Sequence, residues 1–371
     1  MGKKIQFLDY QKLNKNYKKN FLSSLSNFID KGWFILGEEV EKFEKEYSNF
    51  SKVKYCIGVA NGLDALVLSL KSLDIGPKDE VIVPANTYIA SWLAVDIIGA
   101  RPIPVEPRID TYNINPSLIE EKISPQTKAV MAVNLYGQSA ELSSIKKICD
   151  KNNIHLIEDN AQSQGATCNN KPTGSYGIIN ATSFYPGKNL GSLGDAGAVT
   201  TDKLSLAKNI KILRNYGSNK KYYNLIKGYN SRLDELQASF LRIKLKKLNN
   251  DNKKRIKIAE IYNSLLKSVG DIILPKIHYS CTSVYHLYII RTQNREKLIN
   301  YLNQKGIGTM IHYPIPPHLQ KAYENFNFKK GSFPITEKIA DTCLSLPIGP
   351  YFTNNEIEYV ADSIKKFYIS N

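Results

Sequence analysis

The feature that most constrains this chain is the alternation, over its first two thirds, of short apolar runs with helix-like segments. The runs YCIGVA (55–60), VIVPA (81–85), PIPVE (102–106), AVMAV (129–133), HLIED (155–159) and ATSFYP (181–186) carry apolar residues almost without interruption. A strand of that kind is buried on both faces, which requires helices on both sides of a mostly parallel sheet. Stretches such as GLDALVLSLKSL and SSIKKICDKN supply the helices. From about Asn230 the pattern turns helical. Ala238, Leu241, Leu245 and Leu248 form a stripe, and Lys244, Lys246 and Lys247 lie off it on the side expected to be wet. Beyond NNDNKKR (249–255) come a helix, HLYIIR (286–291), REKLINYLNQKG (295–306) and a terminal helix near 355–368. The expectation is a large α/β domain over residues 1–249 and a smaller C-terminal α+β domain over 250–371.

The net charge of +16 invites an anionic partner, but the lysines are spread along helices rather than held in one block. No helix-turn-helix, zinc-finger or RNA-recognition pattern accompanies them, so nucleic acid is not the expected partner. No apolar run is long enough to cross a bilayer, and the start MGKKIQFLDY has no signal-peptide pattern. The five cysteines (56, 149, 168, 281, 343) are scattered and form no C-x-x-C. A reduced, cytoplasmic setting is expected, without disulfides or zinc.

Three stretches carry the chemistry. In VANGLDAL (59–66) a strand ends, Asn61-Gly62 turns and a helix begins. The free N–H groups there suit a phosphate, and an asparagine helix cap would look the same. In HLIEDNAQSQGA (155–166) Asp159 ends an apolar strand, where open α/β sheets place ligand contacts. In SFYPGKNLGSLGDAGAV (183–199) Lys188 sits among glycines and aromatics. It is not a phosphate-loop lysine, because residue 182 is threonine where glycine is needed and Asn189 follows where serine or threonine should. No G-x-G-x-x-G supports a dinucleotide either. A partly desolvated lysine has a lowered pKa and forms a Schiff base with an aldehyde. If the aldehyde is pyridoxal phosphate, the site needs phosphate donors, a carboxylate for the ring nitrogen and a cover for the ring face. Gly62, Leu63 and Ser183, then Asp159, then Tyr88 of PANTYIASW meet these demands in turn.

With ANGLDAL, DEVIVPANTYIAS, LYGQ, IEDNAQ, SFYPGKNLGSLGDAGAV and GYNSRLDELQASFL in place, nearly the whole chain resembles the DegT/StrS family of pyridoxal-phosphate-dependent nucleotide-sugar aminotransferases. The resemblance implies a fold-type-I aminotransferase, a homodimer with active sites shared between subunits. It implies pyridoxal 5′-phosphate joined covalently to Lys188, with pyridoxamine phosphate as intermediate and no metal. Asp159 would pair with the ring nitrogen, Tyr88 stack on the ring and Gln162 lie close to it. Gly62, Leu63 and Ser183 would hold the phosphate, with Asn230 arriving from the partner subunit. Asn230 or Ser231 capping the next helix, with Asp234 as box partner, is the competing reading. Tyr185, His312 and Tyr313 would face the sugar nucleotide, and Arg232 would pair either with a substrate carboxylate or with Asp234. The chain departs from the family at Asn160, often alanine, and at Gln164, often histidine. The implied reaction is amination of a dTDP-3-keto-6-deoxyhexose by L-glutamate, giving a 3-amino-3,6-dideoxy sugar for surface glycans. Amination at C4 of a dTDP- or UDP-linked 4-keto sugar is the alternative.

Overall fold

In the computed structural model, which describes residues 4–370, seven strands build one central sheet. In chain order they are β1 (Tyr55–Val59), β2 (Glu80–Pro84), β3 (Arg101–Val105), β4 (Thr127–Val133), β5 (His155–Asp159), β8 (Ile179–Ser183) and β9 (Gly197–Thr201). A small antiparallel pair, β6 (Thr167–Cys168) and β7 (Lys171–Pro172), lies between β5 and β8. Across the sheet the order is β1-β9-β8-β5-β4-β2-β3. The neighbours from β8 to β3 pair in parallel, while β9 runs antiparallel to both β8 and β1.

The unbroken apolar runs are explained by the two cores that sandwich the sheet. Val81, Val83, Ala129 and Met131 face a core with the helices Gly62–Ser72, Ala90–Ile97 and Leu204–Leu213. Ile82, Val130 and Ala132, the alternate residues, face a second core with Leu142, Ile145 and Cys149 of the helix Leu142–Lys151. Successive side chains point to opposite faces, so burial on both sides leaves no polar position in Val81–Val83 of β2 or Ala129–Val133 of β4.

A separate core lies in the C-terminal part. Ile258, Tyr262 and Leu266 pack there on β12 (Tyr288–Arg291), β13 (Cys343–Leu346) and the helices Arg295–Gln304 and Asn354–Ser370. Between these parts, β10 (Ser218–Lys220) and β11 (Tyr223–Asn224) form an exposed hairpin. Position 249/250 falls in the first turn of the helix Leu248–Leu266.

Three local expectations are corrected. The stripe from Ala238 to Leu248 is not one helix, because Glu235–Leu245 ends at Lys246 and Leu248–Leu266 begins after Lys247. Lys244 is not on a wet face: it is 5% exposed, and its Nζ donates to Asn14 Oδ1 at 3.4 Å. Neither Asn230 nor Ser231 caps a helix. Asp234 is itself the residue before the first turn, and Ser231 Oγ accepts from the Ala60 N–H at 3.3 Å. The neighbouring Glu235 supplies a cap to a different helix. Its buried carboxylate accepts from the N–H groups of Gly37 (2.9 Å), Glu39 (2.5 Å) and Val40 (3.1 Å) at the start of Glu38–Ser51. All five cysteines are free and buried, and no helix among the described residues is long and apolar enough to cross a membrane.

Candidate active site

The carboxyl ends of β2, β5 and β8 open onto a cavity of about 840 Å³. Its lining brings together Gly62, Leu63, Tyr88, Asp159, Gln162, Ser183, Tyr185, Lys188, His312 and Tyr313. These residues are far apart in sequence and meet because parallel strands deliver their carboxyl-terminal loops to one edge.

At one end lies the start of the helix Gly62–Ser72. Asn61 caps it, its Oδ1 accepting from Asp64 N–H at 2.8 Å. The cap and the ligand site are therefore not alternatives: the cap occupies one donor, and the Gly62 and Leu63 N–H groups have no acceptor among the described residues. Gly62 is required here because a Cβ would come within 2.5 Å of Ser183 Cβ. A hydroxyl and two free amides at a helix N-terminus make an anion cradle.

Asp159 is the last residue of β5 and is 7% exposed. Ser91 Oγ donates to its Oδ2 at 2.9 Å and the Ala161 N–H to its Oδ1 at 3.1 Å. Burial pushes its carboxyl pKa up, against the opposing pull of Ala161, Ser91 and the Lys188 charge. Lys188 lies on the loop after β8, and its Nζ donates to no acceptor among the described residues. Burial lowers its pKa from 10.5 to about 8, partly offset by Asp159. A ligand cation at Asp159 and an aldehyde at Lys188 would complete both groups. The residues present thus fit the phosphate, the ring nitrogen and the aldehyde of pyridoxal phosphate.

Gln162 bridges the two sides of the cavity, accepting from the Tyr136 N–H at 2.7 Å and donating to Tyr313 Oη at 3.1 Å. Tyr313 in turn packs on Tyr88, with ring centroids 5.3 Å apart. His312 shares a 2.7 Å hydrogen bond between Nδ1 and Ser345 Oγ. Its pKa is lowered to about 4, chiefly by burial and then by the Lys188 charge, so it is neutral at pH 7. The two departures from the family point away from the cavity. Asn160 is tied to Ser163, and Gln164 Nε2 donates to Ser183 O at 2.9 Å behind the cradle.

Asn230 and Arg232 do not line the cavity in this chain. Asn230 is exposed and pairs with Asn215 in an isolated bridge. Arg232 does not pair with Asp234: its Nη1 donates to Asn215 Oδ1 at 3.2 Å and its guanidinium lies 5.6 Å from the Tyr216 ring centre. The structure also adds residues that the motifs did not single out, above all Arg255 and His286. Asn189 Nδ2 donates to Asn252 Oδ1 and Val284 O, so its Oδ1 must accept from His286 Nδ1 at 3.3 Å. That fixes the ring as the Nδ1–H tautomer. For Arg255 a signal was present, since it falls on the stripe Asn252, Arg255, Ala259, Tyr262, Leu266.

The profile of the DegT/DnrJ/EryC1/StrS aminotransferase family matches residues 15–365. The chain belongs to this family and is an aminotransferase. Over 363 residues, 98% of this chain and 99% of the relative, it is 50% identical to a dTDP-3-amino-3,6-dideoxy-alpha-D-galactopyranose transaminase of Aneurinibacillus thermoaerophilus. Among solved structures it resembles S. venezuelae DesV in complex with a ketimine intermediate, at TM-score 0.97 and 42% identity, covering 98% of each chain. It also resembles NtdA of Bacillus subtilis with bound cofactor PMP, at TM-score 0.92 and 33% identity, covering 99% of this chain and 85% of that one. The mostly parallel sheet expected from the alternating pattern and the aminotransferase fold implied by the resemblance are those observed.

Proposed function

We propose that this aminotransferase converts a dTDP-3-keto-6-deoxyhexose into the dTDP-3-amino-3,6-dideoxyhexose, with pyridoxal 5′-phosphate as cofactor, pyridoxamine phosphate as its alternate form and L-glutamate as amino donor. The observation that carries the transamination is the presence, in one cavity, of a buried lysine with no hydrogen-bond acceptor among the described residues and a buried aspartate close enough for each to feel the other's charge. The 3-amino assignment rests on the 50% identity to a relative named for that product.

When bound, the cofactor supplies an electrophilic aldehyde carbon and a protonated ring that accepts electron density released at the donor α-carbon. The residues of this chain do the rest. Gly62 and Leu63 N–H groups and the Ser183 hydroxyl hold the phosphate. Asp159, oriented by Ser91 and Ala161, keeps a proton on the ring nitrogen. Tyr88 covers the ring face, and Gln162 fixes Tyr313 beside it. Lys188 Nζ, uncharged in a useful fraction at neutral pH, carries the proton between the donor α-carbon and the cofactor. His312, neutral and held by Ser345, offers the sugar a hydrogen-bonding edge alongside Tyr185 and Tyr313.

The working unit is proposed to be a homodimer in which Asn230 of the partner subunit completes the phosphate site. Two features support this reading. Trp33, Phe34 and Ile35 are 65%, 52% and 43% exposed in one short stretch, and the β10–β11 hairpin presents Tyr222, Tyr223 and Leu225 to the outside. Within each subunit, the sheet core and the C-terminal core support domains of residues 1–249 and 250–371, with the N-terminal Ile5 packed in the C-terminal core. The test of the reaction is direct. Glutamate is supplied with either the 3-keto or the 4-keto sugar nucleotide, and NMR locates the new nitrogen. Amination of the 4-keto sugar alone overturns the assignment.

A further inference from the structure

Arg255 is a buried cation with no carboxylate within ion-pair distance among the described residues; Asp251 and the Tyr351 phenol act on it only from farther off. It sits on the helix Leu248–Leu266, is 3% exposed and lines the same cavity as Lys188, with His286 close enough to feel both charges. Its Nη1 is held by three backbone carbonyls, those of Tyr285 (3.4 Å), His286 (3.4 Å) and Ile348 (3.3 Å). No carboxylate pairs with the guanidinium among the described residues, although Arg108 and Arg214 each have one and Arg242 has two. Burial accordingly pulls its pKa down to about 10.

An isolated charge taken out of water is costly, and removing the partner of a buried ion pair typically costs about 3–5 kcal/mol. A guanidinium kept in that condition at a cavity wall is explained if the ligand brings the anion. The geometry narrows the anion further. With Nη1 committed, the remaining donors are Nε–H and Nη2–H, which form a planar side-on fork. That fork matches the two oxygens of a carboxylate. The flanking imidazoles, His286 and His312, are both held neutral by burial and add no competing charge.

We propose that Arg255 is the residue that receives a carboxylate of the amino donor, through Nε–H and Nη2–H. This rests on the aminotransferase reading of the same cavity. The amine of an amino acid reacts at the position Lys188 guards, and its carboxylate needs a fixed cation within a few bonds of it. Arg255 supplies that cation from the wall of the cavity that Lys188 also lines, across His286.

The test uses holoenzyme and the variants Arg255→Gln and Arg255→Lys, each first checked for bound cofactor and for Tm. Calorimetry measures glutarate, an unreactive dicarboxylate, binding to each protein. The two half-reactions are then timed separately, with L-glutamate or isopropylamine as donor, and with the keto sugar nucleotide on the pyridoxamine form. For Arg255→Gln, glutarate affinity and the glutamate half-reaction are expected to fall about 100-fold or more, and Arg255→Lys to recover part of that loss. The isopropylamine and sugar half-reactions are expected to stay within about threefold of wild type. Equal losses with glutamate and isopropylamine would mean that Arg255 merely braces the loop carbonyls, and the proposal is then wrong. A loss confined to the sugar half-reaction would assign Arg255 to the diphosphate and also overturn it. Failure of the wild-type protein to react with either donor would instead remove the aminotransferase reading itself.

Discussion

Gln162 donates from Nε2 to the phenol of Tyr313 at 3.1 Å while its Oε1 accepts from the Tyr136 N–H at 2.7 Å. One side chain therefore joins the end of the central sheet to the segment that carries His312 and Tyr313, and fixes the ring that packs on Tyr88. Gln162→Leu keeps the volume and removes both bonds. The buried Tyr136 N–H is left unsatisfied, at a cost of about 1–3 kcal/mol. The expected result is a lower Tm and a KM for the sugar nucleotide raised about tenfold. Steady-state kinetics with glutamate saturating measures it.

Lys188 reacts as a free amine only when deprotonated. Its pKa of about 8 lies below the ordinary 10.5 because the charged form is desolvated. The rate at which apoenzyme captures pyridoxal phosphate is therefore expected to rise with pH and level off above about 8. Stopped-flow absorbance at the visible band of the joined cofactor follows this. Lys188→Ala is expected to lose that band, the borohydride-fixed adduct and at least about a thousandfold in turnover, with Tm little changed.

Gly62→Ala tests the phosphate cradle. The new Cβ would stand 2.5 Å from Ser183 Cβ and 3.2 Å from its Cα, so the helix start or β8 must shift. Such overpacking costs about 1–3 kcal/mol. The expected outcome is weaker binding of pyridoxal phosphate by roughly tenfold or more, read by fluorescence titration of the apoenzyme.

Lys244 predicts a pH-dependent stability change. Burial lowers its pKa from 10.5 to about 8, so the folded chain holds fewer protons than the unfolded chain between those values. The penalty is complete below pH 8 and fades as pH rises toward 10.5. Lys244→Met is expected to stabilise the protein at pH 7 by at most about 3 kcal/mol, at 1.4 kcal/mol per tenfold. The gain should vanish near pH 10.5. Denaturant melts at the two pH values measure this.

The alternation of apolar strands and helices was enough to place β1 to β5 and β8, because burial on both faces leaves a compositional mark. β9 left none that could be separated from its surroundings. GAVTT runs directly out of a glycine-rich loop, and its burial exists only because β1 and β8 flank it. The cavity residues were legible where one chemical demand fixed them, as with Lys188 and Asp159. Arg255 was hidden inside NNDNKKR, a run that composition reads as solvated charge, although helical spacing puts it on the buried stripe. Lys244 was hidden in the same way, since being charged counted for more than its place in the packing. Glu235 was missed for another reason. The helix it caps begins almost two hundred residues earlier, and no local pattern records such a partner.

The antiparallel seat of β9 has a consequence for the whole protein. Gly197, its first residue, stands in register with Val59 of β1 on one side and Ser183 of β8 on the other. A Cβ there would lie 2.3 Å from Asn61 O, at the mouth of the phosphate cradle. The coenzyme's anionic tail, held by Gly62, Leu63 and Ser183, would therefore tie the segment that follows β1 to the end of β8, on either side of β9. Amide protons of β9 and β1 should exchange with solvent more slowly once the coenzyme is loaded, making the outer margin of the sheet a reporter of occupancy.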